Sequence, residues 1–229
     1  MRHVVITGTS RGLGEALLSG LLDDPATRIL ALGRRFTPAQ EADPRVTTRS
    51  CDLSDPASLP DAAELGAFFA GATQCVLLHN AAVVEPIGAI GALDAAELTR
   101  AVAVNLTSPM LLTNVAIAAR PVGVPLKVIF VSTGAAHHVI ANWSAYSATK
   151  RGAEEFFAHV SSEWRDDPAV TAEIVNPGVM DTGMQETIRA TDFPERQRFV
   201  DRRDRGELRE PAVVAAEILA AHLPPPLPR

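Results

Sequence analysis

Tyr146 and Lys150 stand four residues apart in the run Tyr146-Ser147-Ala148-Thr149-Lys150. On a helix that spacing puts both side chains on one face. Tyr146 is the single tyrosine of a chain whose two tryptophans and eight phenylalanines could fill a core without it. A phenol with its ordinary pKa of about 10 is a poor acid or base near neutrality. A lysine cation beside it favours the phenolate and lowers that value. The spacing therefore predicts a pair able to move protons near pH 7.

A second chemical signal lies at the other end of the chain. Thr7-Gly8-Thr9-Ser10-Arg11-Gly12-Leu13-Gly14 joins an N-terminal strand to a helix. Glycines at such a turn let the backbone approach a pyrophosphate, and the helix N-terminus adds unbonded N–H donors and a positive dipole. That context predicts a dinucleotide site. The second strand ends in Gly33-Arg34-Arg35, where an NAD site usually carries a carboxylate for the ribose hydroxyls. Arg34 and Arg35, with Arg11 in the loop, predict instead a grip on the 2′-phosphate of NADP(H), because guanidinium forks bond phosphate in pairs.

The elements that must hold these groups alternate along the chain. Short β-branched apolar runs at His3–Thr7, Arg28–Gly33, Val46–Cys51, Gln74–His79, Leu126–Ser132 and Val170–Asn176 read as strands. Helical stretches fall near Gly12–Asp23, Pro56–Ala70, Asp94–Arg120, Ser144–Arg165 and Pro211–His222, with Pro109 expected to kink or divide the third. Near-continuous apolar strands separated by helices predict an α/β fold: a Rossmann-type, doubly wound parallel sheet of six or seven strands with helices on both faces. No linker or repeat divides the 229 residues, so one domain is expected. The charged stretch 180–210 breaks the rhythm and reads either as short solvated helices or as a flap over the site. The proline-rich tail from Leu223 onward reads as an exposed end.

Composition narrows the partners. With 47% hydrophobic and 21% charged residues the chain is an ordinary globular one. Its net charge of −6 argues against nucleic acid or an anionic membrane. No apolar run reaches the roughly 20 residues of a membrane span, and no leader precedes the first strand. Cys51 and Cys75 lack metal-ligand spacing and read as buried free thiols. A cytoplasmic location is expected.

These residues together resemble the short-chain dehydrogenase/reductase family over nearly the whole chain. The glycine loop is similar to its Thr-Gly-x-x-x-Gly-x-Gly pattern. Asp52-Leu53 resembles the pair that lies along the adenine. His79-Asn80-Ala81-Ala82 resembles its Asn-Asn-Ala-Gly motif with both ends changed. Asn105 matches the helix asparagine of the proton relay, Tyr146 and Lys150 the catalytic pair, and Pro177-Gly178-Val179 with Thr182 the nicotinamide-side contacts. The family's serine falls thirteen positions before the tyrosine, where this chain has Thr133; Ser132 is its neighbour. Spacing favours Thr133 and residue type favours Ser132, so both stay as candidates for bonding a carbonyl oxygen. His79 in place of asparagine reads as structural.

A closer resemblance, to the sepiapterin reductase and bacterial benzil reductase branch, rests on Ser132-Thr133-Gly134-Ala135-Ala136, Trp143-Ser144-Ala145-Tyr146, the run from Pro177 to Gln185, and Gly206–Pro211. It implies NADPH-dependent reduction of a ketone or vicinal diketone. The resemblance makes Tyr146 the proton donor, with Lys150 lowering its pKa and bonding the cofactor ribose. Asn105 would hold a water between Lys150 and solvent. Trp143, Gly178, Met180 and Met184, with Thr133, would face the substrate. The pterin-holding acidic residue near the C-terminus is missing from Leu227-Pro228-Arg229. A non-catalytic NADP(H)-binding sensor and an oxidative alcohol dehydrogenase are the alternatives. The resemblance also implies a homodimer paired through the two long helices, using Leu111, Leu112, Phe156 and Phe157.

Overall fold

The computed structural model describes residues 1–223. Six parallel strands form one sheet: β1 (Arg2–Thr7), β2 (Thr27–Gly33), β3 (Val46–Ser50), β4 (Gln74–His79), β5 (Leu126–Val131) and β6 (Val170–Val175), in the order β3-β2-β1-β4-β5-β6. The order reverses between β1 and β4, and the chain opens a crevice beyond the carboxyl ends of those strands. Side chains alternate between two cores. Cys75 and Leu77 of β4 enter one, Val76 and Leu78 the other; β5 sends Val128 and Phe130 to the first and Ile129 and Val131 to the second. Because both faces are buried, the central strands β1, β2, β4 and β5 are apolar at consecutive positions, while the edge strands β3 and β6 carry polar residues.

Helices α1 (Gly12–Leu21) and α9 (Pro211–His222) cover one face. A Cβ on Gly20 would stand 2.7 Å from Leu219, so the glycine lets these helices meet closely. The other face carries α3 (Ala62–Phe69), α5 (Ser108–Ala119) and α6 (Ser144–Glu163). The helix expected from Pro56 begins later. Pro56–Ser58 is a 3-10 turn, and Asp61 restarts the chain as α3 through a capping box with Glu64. A short helix α2 (Pro38–Ala42), not anticipated above, opens on a second capping box, Thr37 with Gln40.

The long helix around Pro109 is divided, but by widening rather than by a simple kink. α4 (Ala95–Val102) runs into a π turn at Ala103–Thr107, which leads into α5 with Pro109 in its first turn. Pro109 has no N–H, so the Asn105 carbonyl loses its i+4 donor. Wide turns of this kind recur at functional sites. The composite Ala95–Ala119 passes a length and composition test for a membrane span, with mean hydropathy 1.5, although Glu97, Arg100 and Asn105 interrupt its apolar residues. In the fold its inner residues Ala101, Val104, Leu112 and Ala116 are core.

The stretch 180–210 contains two helices, α7 (Gly183–Ala190) and α8 (Arg196–Asp204). Its ends are tied together: Asp181 N–H donates to the Arg209 carbonyl at 3.0 Å, and Arg209 N–H to that of Val179 at 3.1 Å. The tail departs from expectation at its start. Leu223 is buried against α1 and α9, while residues 224–229 lie outside the described residues.

Candidate active site

A cleft of about 1170 Å³ opens at the carboxyl ends of β1, β2, β4 and β5. Every site residue expected from sequence lines it except Asn105, which lies behind its wall. The glycine loop forms one end. Gly8 has φ 72°, and a Cβ there would stand 2.9 Å from that of Ala81. A Cβ on Gly14 would meet the Gly8 carbonyl at 2.0 Å, so no side chain fits at the start of α1. Thr7 Oγ1 accepts from the N–H groups of Asn80 and Ala81, both at 3.1 Å, and Asn80 Nδ2 donates to the Gly8 carbonyl at 2.9 Å. These bonds lock the β1 and β4 ends into one rigid floor.

Gln40 buttresses the same loop. Its Nε2 donates to the Thr9 carbonyl at 2.7 Å. Sequence reading missed this residue, although the Thr37-x-x-Gln40 capping pattern was there to find. Arg34 and Arg35 line the cleft beside Asp52, whose carboxyl is held below its ordinary range by bonds from Ser54, with Arg34 and Arg100 adding positive charge nearby. Arg11 also lines the cleft, with its guanidinium against Gly183, 2.7 Å from where a Cβ there would stand. It braces the glycine loop against α7.

The groups that could handle protons meet at the middle of the cleft. Tyr146 and Lys150 project from α6, and both are buried. The Tyr146 hydroxyl donates to the Met184 sulfur at 4.0 Å, and the Thr133 hydroxyl is near enough to favour its phenolate. Ser132, by contrast, donates to the Glu154 carboxylate behind the wall. Lys150 Nζ donates to the Val131 carbonyl at 2.7 Å and sits 4.5 Å from the Phe130 ring centre.

The proton energetics differ from the sequence expectation. The Tyr146 phenol is pushed up to about 12 by burial, with the nearby Thr133 hydroxyl pulling partly back. Lys150 is pushed down to about 7 by burial, opposed by the charge of Glu154. Residue spacing anticipates a neighbouring cation but not the desolvation that both groups undergo on this wall.

Asn105, in the π turn, is tied by its side chain to Val83 and Thr149. Its Oδ1 accepts from Val83 N–H at 2.9 Å, and its Nδ2 donates to the Val83 carbonyl at 2.8 Å and to Thr149 Oγ1 at 3.2 Å. His79 is structural in its contacts: Nε2 meets Thr113 Oγ1 at 2.8 Å, and the ring packs 5.5 Å from that of Phe157.

The opposite end of the cleft is apolar. Trp143 stacks on Phe199 at 5.2 Å between ring centres and meets Tyr146 edge-on at 5.7 Å. Phe193 and Ile188 complete a separate small core with Met184 packed on it. Phe199 and Ile188 escaped sequence reading because α7 and α8 carry few hydrophobics and no fixed spacing links them to Trp143.

Comparison with known proteins identifies the chain's relatives. The short chain dehydrogenase family model matches residues 2–192. A Bacillus cereus protein named benzil reductase ((S)-benzoin forming) is 32% identical, over 95% of this chain and 92% of its own length. The sepiapterin reductase of Meriones unguiculatus is 28% identical, over 94% and 88% respectively. The crystal structure of the KRED1-Pglu enzyme superposes with a TM-score of 0.85 at 28% identity, covering 97% of this chain and 95% of that one.

Proposed function

We propose that this chain, which belongs to the short-chain dehydrogenase family, is an NADPH-dependent reductase of aryl ketones and vicinal diketones. Membership makes it an oxidoreductase that uses a nicotinamide cofactor. The cleft fits such a group, because Gly8 and Gly14 leave a cradle no Cβ could share. The loop Ser10–Leu13 would hold the pyrophosphate, Asp52 and Leu53 the adenine, and Asn80, Ala81, Pro177–Val179 and Thr182 the nicotinamide half. Arg34 and Arg35 at the β2 end support NADP(H) over NAD(H), since both cations line the cleft there.

When bound, the reduced nicotinamide supplies a hydride to the carbonyl carbon. The side chains supply the rest. Thr133 bonds the carbonyl oxygen and Tyr146 gives it a proton, so the C=O bond becomes C–H and O–H. A phenol held near 12 is fully protonated at neutral pH and ready to donate as charge develops on that oxygen. Lys150 balances the phenolate left behind. The observation that carries this reading is the meeting of Tyr146, Lys150 and Thr133 in one cleft, at the foot of the Trp143–Phe199 wall. That wall suits a flat aromatic substituent.

The benzil reductase named above supports a diketone substrate. The test is NADPH oxidation with benzil by the wild type and Tyr146→Phe. The variant keeps the ring and should lose about 10²–10⁴-fold in turnover. Near-normal turnover would overturn Tyr146 as the acid.

We also infer a homodimer in the cytoplasm. Exposed Leu98, Val102, Met110 and Leu111 give α4 and α5 an apolar outer surface that supports pairing there. Of the four residues named for that surface from sequence, Leu112 and Phe157 are instead buried in the protomer's own core, which corrects that part of the expectation.

A further inference from the structure

One turn beyond Lys150 on α6, Glu154 lies buried with 8% of its surface exposed. Its two carboxylate oxygens are engaged from different elements. One accepts from Ser132 at the end of β5; the other faces His137 Nε2 at 2.9 Å and, more distantly, Arg151 Nη1 at 3.7 Å. His137 and Arg151 are themselves in contact, 2.9 Å apart, and their side chains are half exposed. The carboxylate thus reaches from the surface to the back of the cleft.

The groups facing Lys150 are few. The Val131 carbonyl and the Phe130 ring come from β5, and His79 feels the ammonium from β4. Tyr146 precedes it on α6, and neither His79 nor the protonated phenol is negative. Glu154 is the carboxylate whose charge acts on the ammonium. We propose that Glu154 is a positioning residue: its buried carboxylate, clamped by Ser132 and His137, supplies the negative charge that keeps Lys150 an ammonium. This rests on the reductase reading for its catalytic consequence. It also gives Ser132 a task distinct from that of Thr133.

The chain has two lysines, Lys127 and Lys150. Carbon-13 labelling at lysine Cε therefore gives two NMR signals, and Lys127→Arg identifies the one that is not Lys150. Glu154→Gln keeps the volume and the Ser132 bond while removing the charge. It should move the Lys150 midpoint down by on the order of one pH unit, with Glu154→Asp restoring it. The alkaline limb of kcat/KM for benzil should move with it.

An unmoved midpoint in Glu154→Gln would overturn the assignment. A moved midpoint with a fixed limb would overturn the catalytic part. Should Glu154→Gln fail to fold, Ser132→Ala releases one arm of the clamp and should move the midpoint the same way by less; no movement there would overturn the proposal. The NMR titration needs no substrate. A wild type that turns over no carbonyl would sink the reductase reading, and the midpoint would still decide whether Glu154 governs Lys150.

Discussion

Replacing His79 with glutamine should flatten the acid limb of this protein's stability. The unfolded imidazole titrates near 6.5, and the folded one is pushed down to about 3, first by burial and second by the Lys150 charge. Between those values the unfolded chain binds a proton that the native fold refuses. Stability is therefore complete above pH 6.5 and falls as pH drops through that window. At about 1.4 kcal/mol per unit the full window is worth roughly 5 kcal/mol, comparable to the whole stability of many domains.

Between pH 7 and pH 5 the same relation gives a loss of about 2 kcal/mol. Glutamine can place an amide near Nε2, keep the bond to Thr113 and carry no proton. Urea unfolding followed by Trp143 and Trp164 fluorescence at pH 7, 6 and 5 measures the difference. The wild type should lose about 2 kcal/mol more than His79→Gln over that range. Parallel losses, within about 0.5 kcal/mol, would show that the folded ring accepts its proton and that the buried, neutral histidine is wrong.

Thr133→Val should lower kcat on benzil by about 10²-fold, and Ser132→Ala by less than about tenfold; the reverse order would give the carbonyl bond to Ser132. Arg34→Ala with Arg35→Ala should raise the KM for NADPH far more than that for NADH, each lost charge-assisted bond costing about 1.5–3 kcal/mol. Equal effects on the two cofactors would remove the phosphate reading. Phe199→Ala should raise the KM for benzil by about tenfold and leave that for biacetyl within about twofold, because only the aryl substrate needs the wall. Equal changes for both diketones would place the aryl group elsewhere.

The sheet was legible because its physics is local. A strand buried on both faces carries an unbroken apolar run, here Cys75 to Leu78, so Gln74–His79 has the same bounds in sequence and structure. The same holds for Pro211–His222, where a proline in the first turn marks the start. The Asp94–Arg120 stretch was less legible. Pro109 announces a disturbance, but whether the helix kinks or widens depends on what packs around it. Here Asn105 is tied to Val83 and Thr149, and the turn opens around that anchor.

Motifs located the cleft but not its energetics. The i, i+4 spacing of Tyr146 and Lys150 places both on one wall, yet spacing carries no information about water. Burial raises the phenol and lowers the ammonium, the reverse of what a solvated cation would do to its neighbour. For a reductase that reversal is useful. The acid must arrive protonated, so a high phenol pKa stores the proton until the substrate oxygen becomes negative. The ammonium must stay charged to receive the phenolate, and burial works against it. A carboxylate one turn further along α6 is the counterweight such a site requires, and Glu154 stands there with both oxygens engaged. Nothing in the local sequence marks it, because its partners come from the end of β5 and from the loop at His137. The two neighbouring hydroxyls have different surroundings: Ser132 donates to Glu154, which favours the proposal that Thr133 is the one left to bond a substrate.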